Sequence, residues 1–190
     1  LILKATSSKY SEVIVKLIPP FIGRFEGEES LYKLYENAGI MCPLYDSDPS
    51  LCALLLKRAC PGNHAEFDAE NENGVLEFFG RLNDCLIKYD GQIVGHDYAE
   101  ILKDKLQYTA PVSYKRVVEE YVRAANFVYD KTFASKDRYI LLGDAHKYNL
   151  LKDGRHFVAI DPIGYIASNA FEAARYIGTV LTYDIDVADA

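Results

Sequence analysis

Residues 139–164 read YILLGDAHKYNLLKDGRHFVAIDPIG, and the spacing inside this stretch restricts the chain more than any other feature. Tyr139-Ile140-Leu141-Leu142 is an apolar run of strand length. A polar loop from Gly143 to Asn149 follows it. Next come Leu150-Leu151, a turn at Lys152-Asp153-Gly154-Arg155, and a second apolar run, Phe157-Val158-Ala159-Ile160. That run ends on Asp161, followed by Pro162-Ile163-Gly164. The pattern predicts hairpin strands that deliver Asp144 and Asp161 at their tips, with Asn149 between them.

The chain of 190 residues is long enough for one sizeable core or for two small lobes around a cleft. With 49% hydrophobic and 26% charged residues it is composed like a folded soluble protein, which argues against disorder. A net charge of -7 and the lack of any Lys/Arg cluster argue against a nucleic-acid partner. The acidity would suit a cationic substrate, although acidity of this size is ordinary in cytosolic proteins. No apolar run approaches membrane-spanning length and no signal peptide is visible, so no membrane association is expected. Cys42, Cys52, Cys60 and Cys85 show no metal-ligand spacing and read as reduced thiols of a cytoplasmic protein.

Ahead of the hairpin stretch, Leu1-Ile2-Leu3 and Val13 to Ile18 form two apolar runs joined by a turn at residues 7–11 and stopped by Pro19-Pro20. The second run is rich in β-branched residues and should be central to its sheet, which makes Lys16 in its middle conspicuous. Glu26 to Ala38 reads as a helix closed by Gly39, with Glu28, Leu31, Tyr32 and Tyr35 on one face and Glu29 and Lys33 pointing out. Residues 41–45 and 51–56 form a second strand pair, and Pro61-Gly62 should end that sheet. Helices are then expected over Val75–Tyr89 with Val75, Phe79, Leu82 and Leu86 inward, and over Tyr114–Phe133. Asp90–Pro111 is mixed, with a short helix around Ala99–Leu106. Ser168–Thr182 should carry Phe171, Ala174, Ile177 and Val180 on one face, with a fraying end from Asp184.

Transfer of a γ-phosphoryl group needs positioning, charge neutralisation by Mg²⁺, and a base near the acceptor hydroxyl. A strand Lys for the α/β-phosphates, a helix Glu to hold it, a loop Asp as base, an Asn five residues on and a second Asp for metal would suffice. Lys16, Glu28, Asp144, Asn149 and Asp161 occur in that order. Each is ordinary alone: a loop Asp most often makes a turn, and a strand Lys or helix Glu is commonly solvated. The combination is what points to a small-molecule kinase. Among the histidines, His146 lies in the loop after Asp144 and is close enough in sequence to touch substrate or phosphate. His64, His96 and His156 read as surface or turn residues. No P-loop, Rossmann glycine pattern or Gly-x-Ser-x-Gly is present, which removes those enzyme classes.

The hairpin stretch resembles the catalytic region of the aminoglycoside phosphotransferases, most of all the branch of streptomycin 6-phosphotransferase and hydroxyurea kinase. VIVKLIPP (Val13–Pro20), ALLLKRACPG (Ala53–Gly62) and the run from Asp161 through Ser168-Asn169-Ala170-Phe171-Glu172 agree with it. The resemblance implies an α+β, protein-kinase-like bilobal fold. An antiparallel-sheet N-terminal lobe with one helix would span residues 1–59. A mainly helical C-terminal lobe carrying the catalytic β-hairpin would span 60–190.

It further implies ATP and Mg²⁺ as cofactors and phosphorylation of a hydroxyl on a small-molecule substrate, an aminoglycoside such as streptomycin, giving antibiotic resistance. Carried over by position, Lys16 would contact the nucleotide phosphates, oriented by Glu28 or, as fallback, Glu29. Asp144 would be the general base, and Asn149 and Asp161 the metal ligands. The backbone of Arg58 and Ala59 would meet the adenine edge, with Leu151 and Ile160 on its face. The family His before Gly-Asp is Leu142 here, which keeps open a nucleotide-binding pseudokinase beside a kinase of another small metabolite. The strand and phosphate-covering loop expected before residue 1, and the substrate-pocket helices expected after residue 190, are not in the sequence, so both ends are expected to be incomplete. Oligomeric state is not legible.

Overall fold

The computed structural model describes residues 1–66, 70–91 and 137–184, together with Asp68, His96, Asp97, Ile101 and Arg123. The helices expected over Tyr114–Phe133 and Ala99–Leu106 therefore fall almost wholly outside the described residues.

The first sheet is antiparallel with strand order β1-β2-β4-β3: β1 is Ile2–Ser7, β2 Ser11–Leu17, β3 Leu44–Asp48 and β4 Ala53–Lys57. The β-branched strand is thus central, with Lys16 opposite Ile2 on one side and Leu54 on the other. Because strand side chains alternate, Lys16 shares a face with Ile14 and Ile18, and Ile18 packs into the core with Phe25, Leu31 and Tyr32 of the helix that covers it. That helix, α1, runs Phe25–Leu34, with Glu26 and Glu28 in its first turn and Lys33 in its last, signs that suit the helix dipole.

It is one turn shorter than expected, because Tyr35 leaves helical geometry (φ −103°, ψ 16°). The buried Tyr35 hydroxyl donates to the Ile140 carbonyl at 2.5 Å, anchoring the chain on the strand that precedes Gly143. Gly39, at φ +66°, turns the chain back, so that Cys42 N–H donates to Ala159 O at 3.1 Å and Ala159 N–H to Ile40 O at 2.7 Å. The residues before β3 are in this way tied to the hairpin of residues 150–159.

Pro61-Gly62 opens a strand instead of only ending a sheet. β5 (Pro61–His64) pairs antiparallel with β9 (Leu150–Asp153), which pairs with β10 (His156–Ala159) in the order β10-β9-β5. Proline is tolerated there because it is the first residue of an edge strand, where a missing N–H breaks no ladder. Lys57 Nζ meets Asp153 Oδ2 at 2.6 Å, Cys60 N–H donates to Asp153 Oδ1 at 3.2 Å, and Gly154 N–H donates to Cys60 O at 2.7 Å. The segment joining the two regions is thus fixed to the hairpin turn.

Helix α2 spans Glu72–Cys85 and buries Val75, Phe78 and Leu82; Phe79, expected inward, is only half-buried. The chain leaves it at Leu86 (ψ 132°) for a short strand, β6 (Ile87–Lys88). β6 joins β7 (His96–Asp97), β8 (Tyr139–Leu141) and β11 (Tyr165–Ala167) in the order β6-β8-β11-β7, with only the β11–β7 pair parallel. The last helix, α3, is Ala170–Asp184. Its buried face is Glu172, Tyr176 and Val180; Ala174 is exposed and Ile177 is 53% exposed, so the expected inward face is rotated. One continuous core joins Leu54 and Leu56 of the first sheet to Phe78, Leu142, Leu150 and Tyr176.

Candidate active site

Three elements bring charged groups together at the end of β2. Lys16 Nζ lies against Glu28 Oε1 and 2.9 Å from Asp161 Oδ1. Glu28 is 3% exposed, and burial raises its carboxyl above the usual range against the pull of Lys16. Glu29 is engaged elsewhere, with Lys33 at 2.7 Å and with Ser47, so Glu28 is the partner of Lys16. Asp161 reaches Lys16 from a left-handed turn at φ +54°, a conformation Asp tolerates better than most residues.

The loop holding Asp144 is stitched to the Asp161 turn through its backbone. Leu142 is 1% exposed, and its carbonyl accepts from Ile163 N–H at 2.8 Å and Gly164 N–H at 3.0 Å. Pairing of Leu141 with Tyr165 continues the contact. Gly143 sits at φ +82°, where an added Cβ would stand 2.8 Å from the Tyr165 ring and 3.1 Å from its nitrogen. The Gly143 N–H donates to Glu172 Oε1 at 2.7 Å. Glu172 is 1% exposed and burial pushes its carboxyl up to about 7, although the amides of Gly143, Ala145 and Leu142 pull the other way. A buried carboxylate from α3 therefore supports the loop from beneath.

Asp144 is bonded on both oxygens. Oδ1 accepts from Arg175 Nη2 at 2.7 Å and Nε at 3.0 Å, while Asn149 Nδ2 donates to Oδ2 and to the backbone carbonyl of Asp144, both at 3.1 Å. With its nitrogen turned onto Asp144, the Asn149 amide has no partner on its oxygen among the described residues. His146 Nε2 is 3.6 Å from Asp144 Oδ2, too far for a hydrogen bond, and its ring meets Tyr148 edge-on. Ile160 N–H donates to Asn149 O at 2.9 Å, which holds the two metal-ligand candidates side by side, Asn149 just before β9 and Asp161 just after β10.

Beside these charges lies a small apolar cluster of Cys42, Ala59 and Val158, with Leu151 and Ile160 packed on it. Ala59 is 6% exposed, yet neither its N–H nor its C=O meets a protein partner among the described residues. A flat heterocycle with a donor–acceptor edge matches that arrangement. Arg58 is paired with Glu12 twice, its Nη1 donating to Glu12 Oε1 at 2.7 Å and its backbone N–H to Glu12 O at 3.4 Å.

The structure thus gathers Lys16, Glu28 and Asp161 at one point, Asp144 and Asn149 at a second, and Ala59, Leu151 and Ile160 at a third. Sequence reasoning missed Arg175, Glu172, Cys42 and Val158 as members of this region. Glu172, Tyr176 and Val180 at i, i+4 and i+8 carried a signal for the first two, masked by the polar side chain on the buried face. Among the described residues no three His, Cys, Asp or Glu side chains cluster as a metal cage, so a divalent cation here would rest on Asn149, Asp161 and oxygens of a bound phosphate. No helix among them is long and apolar enough to cross a membrane.

No protein-family model and no curated protein sequence matches the chain. Solved structures do. A choline/ethanolamine kinase family protein from Mesorhizobium loti is similar at TM-score 0.69 and 13% identity, over 91% of this chain and 60% of its own. Amicoumacin kinase hAmiN, in complex with AMP-PNP, Ca²⁺ and its substrate, is similar at TM-score 0.72 and 14% identity, over 99% of this chain and 63% of its own. An aminoglycoside phosphotransferase bound to ADP and hygromycin B is similar at TM-score 0.57 and 13% identity, over 92% and 70%. The chain therefore spans about 60% of the first protein's length. The neighbours are choline-kinase-like and aminoglycoside-phosphotransferase structures as a group, and the fold of this chain is the α+β, protein-kinase-like bilobal fold they share.

Proposed function

We propose that the chain is an ATP-dependent phosphotransferase that moves the γ-phosphoryl group to a hydroxyl of a small molecule. The observation that carries this reading is the meeting of Lys16, Glu28 and Asp161, the outer two 145 positions apart, beside a loop that presents Asp144 and Asn149.

In this reading residues 1–59 form the nucleotide-binding lobe and 60–190 the helical lobe. Bound ATP supplies the phosphoryl group, and Mg²⁺ neutralises its oxygens. Lys16 holds phosphate oxygens, and the buried Glu28 fixes where the ammonium points. The Asn149 amide oxygen and the Asp161 carboxylate hold the metal. The Arg58 carbonyl and the Ala59 backbone meet the adenine edge, while Leu151 and Ile160 cover its face. Asp144 accepts the hydrogen bond of the acceptor hydroxyl, aligns it for attack and takes its proton. The buried Leu142 packs the loop and its backbone carbonyl anchors it, so the loop keeps this geometry without a histidine. The free thiols of Cys42, Cys52, Cys60 and Cys85 suit a reducing cytoplasm.

The sequence resemblance nominates an aminoglycoside such as streptomycin as acceptor, with a smaller metabolite as the alternative. Both belong in an ADP-release assay of the wild type and Asp144→Asn. Loss of transfer by about 10²–10⁴-fold in the variant is expected, with ATP binding retained. Equal turnover in the two proteins would remove Asp144 as the base.

A further inference from the structure

We propose that His146 is a second acceptor-binding residue, holding a hydroxyl next to the reacting one, so that the site selects compounds with hydroxyls on neighbouring carbons. The inference rests on Asp144 as the base and deepens that reading by naming the substrate class.

The base has one direction left open. Arg175 closes Asp144 Oδ1 with Nη2 at 2.7 Å and Nε at 3.0 Å, while Asn149 Nδ2 takes one lone pair of Oδ2 at 3.1 Å. A carboxylate oxygen carries two lone pairs, so an acceptor hydroxyl is left the second one on Oδ2. The imidazole of His146 stands at this same oxygen, with Nε2 3.6 Å from Oδ2. Its own loop holds the ring there. His146 N–H donates to Asp144 O at 2.8 Å, His146 O accepts from Asn149 N–H at 2.9 Å, and the ring meets Tyr148 edge-on. Nδ1 is buried without a hydrogen-bond partner, which leaves Nε2, the nitrogen nearer the base, to serve a ligand.

Distance decides what Nε2 binds. At 3.6 Å it is too far from Oδ2 for a direct hydrogen bond. A single oxygen placed about 2.8 Å from both atoms would see them at an angle of about 80°, well below the tetrahedral spread of a hydroxyl. Two oxygens about 2.9 Å apart, as on neighbouring carbons in a staggered gauche arrangement, close a near-rectangle with Oδ2 and Nε2. Each oxygen then has its own partner: one gives its proton to Asp144 and the other bonds the imidazole. A hydroxyl suits the ring in either tautomer, because it both donates and accepts. Streptomycin carries such a pair of hydroxyls on its cyclitol ring, so the acceptor class inferred from His146 includes the aminoglycoside nominated by the sequence.

The test uses the 190-residue chain with streptomycin and two isomers that differ only in where the second hydroxyl stands, cis-1,2-cyclohexanediol and trans-1,4-cyclohexanediol. Phosphoryl transfer from ATP·Mg²⁺ is followed by ADP release for wild type, His146→Phe and His146→Gln. Phe keeps a ring against Tyr148 and removes both nitrogens, whereas Gln returns a donor and an acceptor. The wild type should prefer the 1,2-isomer by at least about tenfold in kcat/KM, His146→Phe should bring the ratio close to one, and His146→Gln should keep part of the preference. A wild type that takes both isomers equally, or a preference that survives His146→Phe, overturns the inference. The His146 Cε1–H resonance, assigned by its loss in His146→Phe, gives a second readout at constant pH. Streptomycin and the 1,2-isomer should shift it and the 1,4-isomer should not. Such a shift without any phosphoryl transfer would support the diol site while counting against the kinase reading. A signal that neither streptomycin nor the 1,2-isomer moves would overturn the diol site whether or not transfer occurs.

Discussion

Glu172 makes the stability of this protein depend on pH in a direction opposite to that of most carboxylates. Its carboxyl is 1% exposed and, through burial, ionises at about 7 instead of 4.5. Between those two values the folded state holds a proton that the unfolded state has lost. The contribution of Glu172 to stability is therefore full below about pH 4.5 and falls as pH rises toward 7. At 1.36 kcal/mol for each pH unit, the rise from 4.5 to about 7 corresponds to about 3 kcal/mol.

Glu172→Gln keeps an acceptor oxygen for the Gly143 N–H and cannot ionise. Urea unfolding of both proteins at steps from pH 5 to pH 8 should show the wild type losing about 2–3 kcal/mol relative to the variant. Glu172→Ala should cost about 1–3 kcal/mol at pH 5, since it leaves a buried amide unpaired. Wild type and Glu172→Gln changing in parallel across the range would refute the assignment of a buried, proton-binding carboxyl beneath the loop.

Two further outcomes follow from the same loops. Gly143→Ala forces a side chain into the Tyr165 ring at positive φ, and should lower stability by at least about 2 kcal/mol in denaturant titration; a neutral result would mean the two loops do not pack as described. Lys57 and Asp153 tie the connecting segment to the hairpin turn, but Lys57 is 39% exposed, so their double-mutant coupling should be only about 0.5–1 kcal/mol and should shrink in 1 M salt. Coupling of several kcal/mol would mean the pair is more enclosed than its exposure indicates.

What could be read from the sequence was what local pattern encodes. Alternation and β-branching marked β2 as central, and the period of α1 put Glu28 on the same face as Leu31 and Tyr32, which is why Lys16 finds it. The hairpin pattern put Asp144 and Asp161 at neighbouring tips because the apolar runs and turn residues are short-range signals. The misreadings arise where tertiary contacts outweigh period. Tyr35 leaves its helix for the carbonyl of Ile140, and Pro61 finds a strand partner about 90 residues away, at Asp153. In α3 a buried Glu172 takes the place an apolar residue would mark, so hydrophobicity pointed to Ile177 instead. Arg175 could not be recognised without that face, because an arginine on a helix gives no sign of what it meets.

In the proposed function Lys16, Asn149 and Asp161 hold a nucleotide through a divalent cation. Thermal unfolding with ATP, with and without Mg²⁺, in the wild type and Asp161→Ala tests it most directly. ATP should raise the melting temperature of the wild type by several degrees only when Mg²⁺ is present, and Asp161→Ala should lose this increment. A wild type that gains nothing from ATP with Mg²⁺, or an Asp161→Ala variant that gains as much as the wild type, would contradict it.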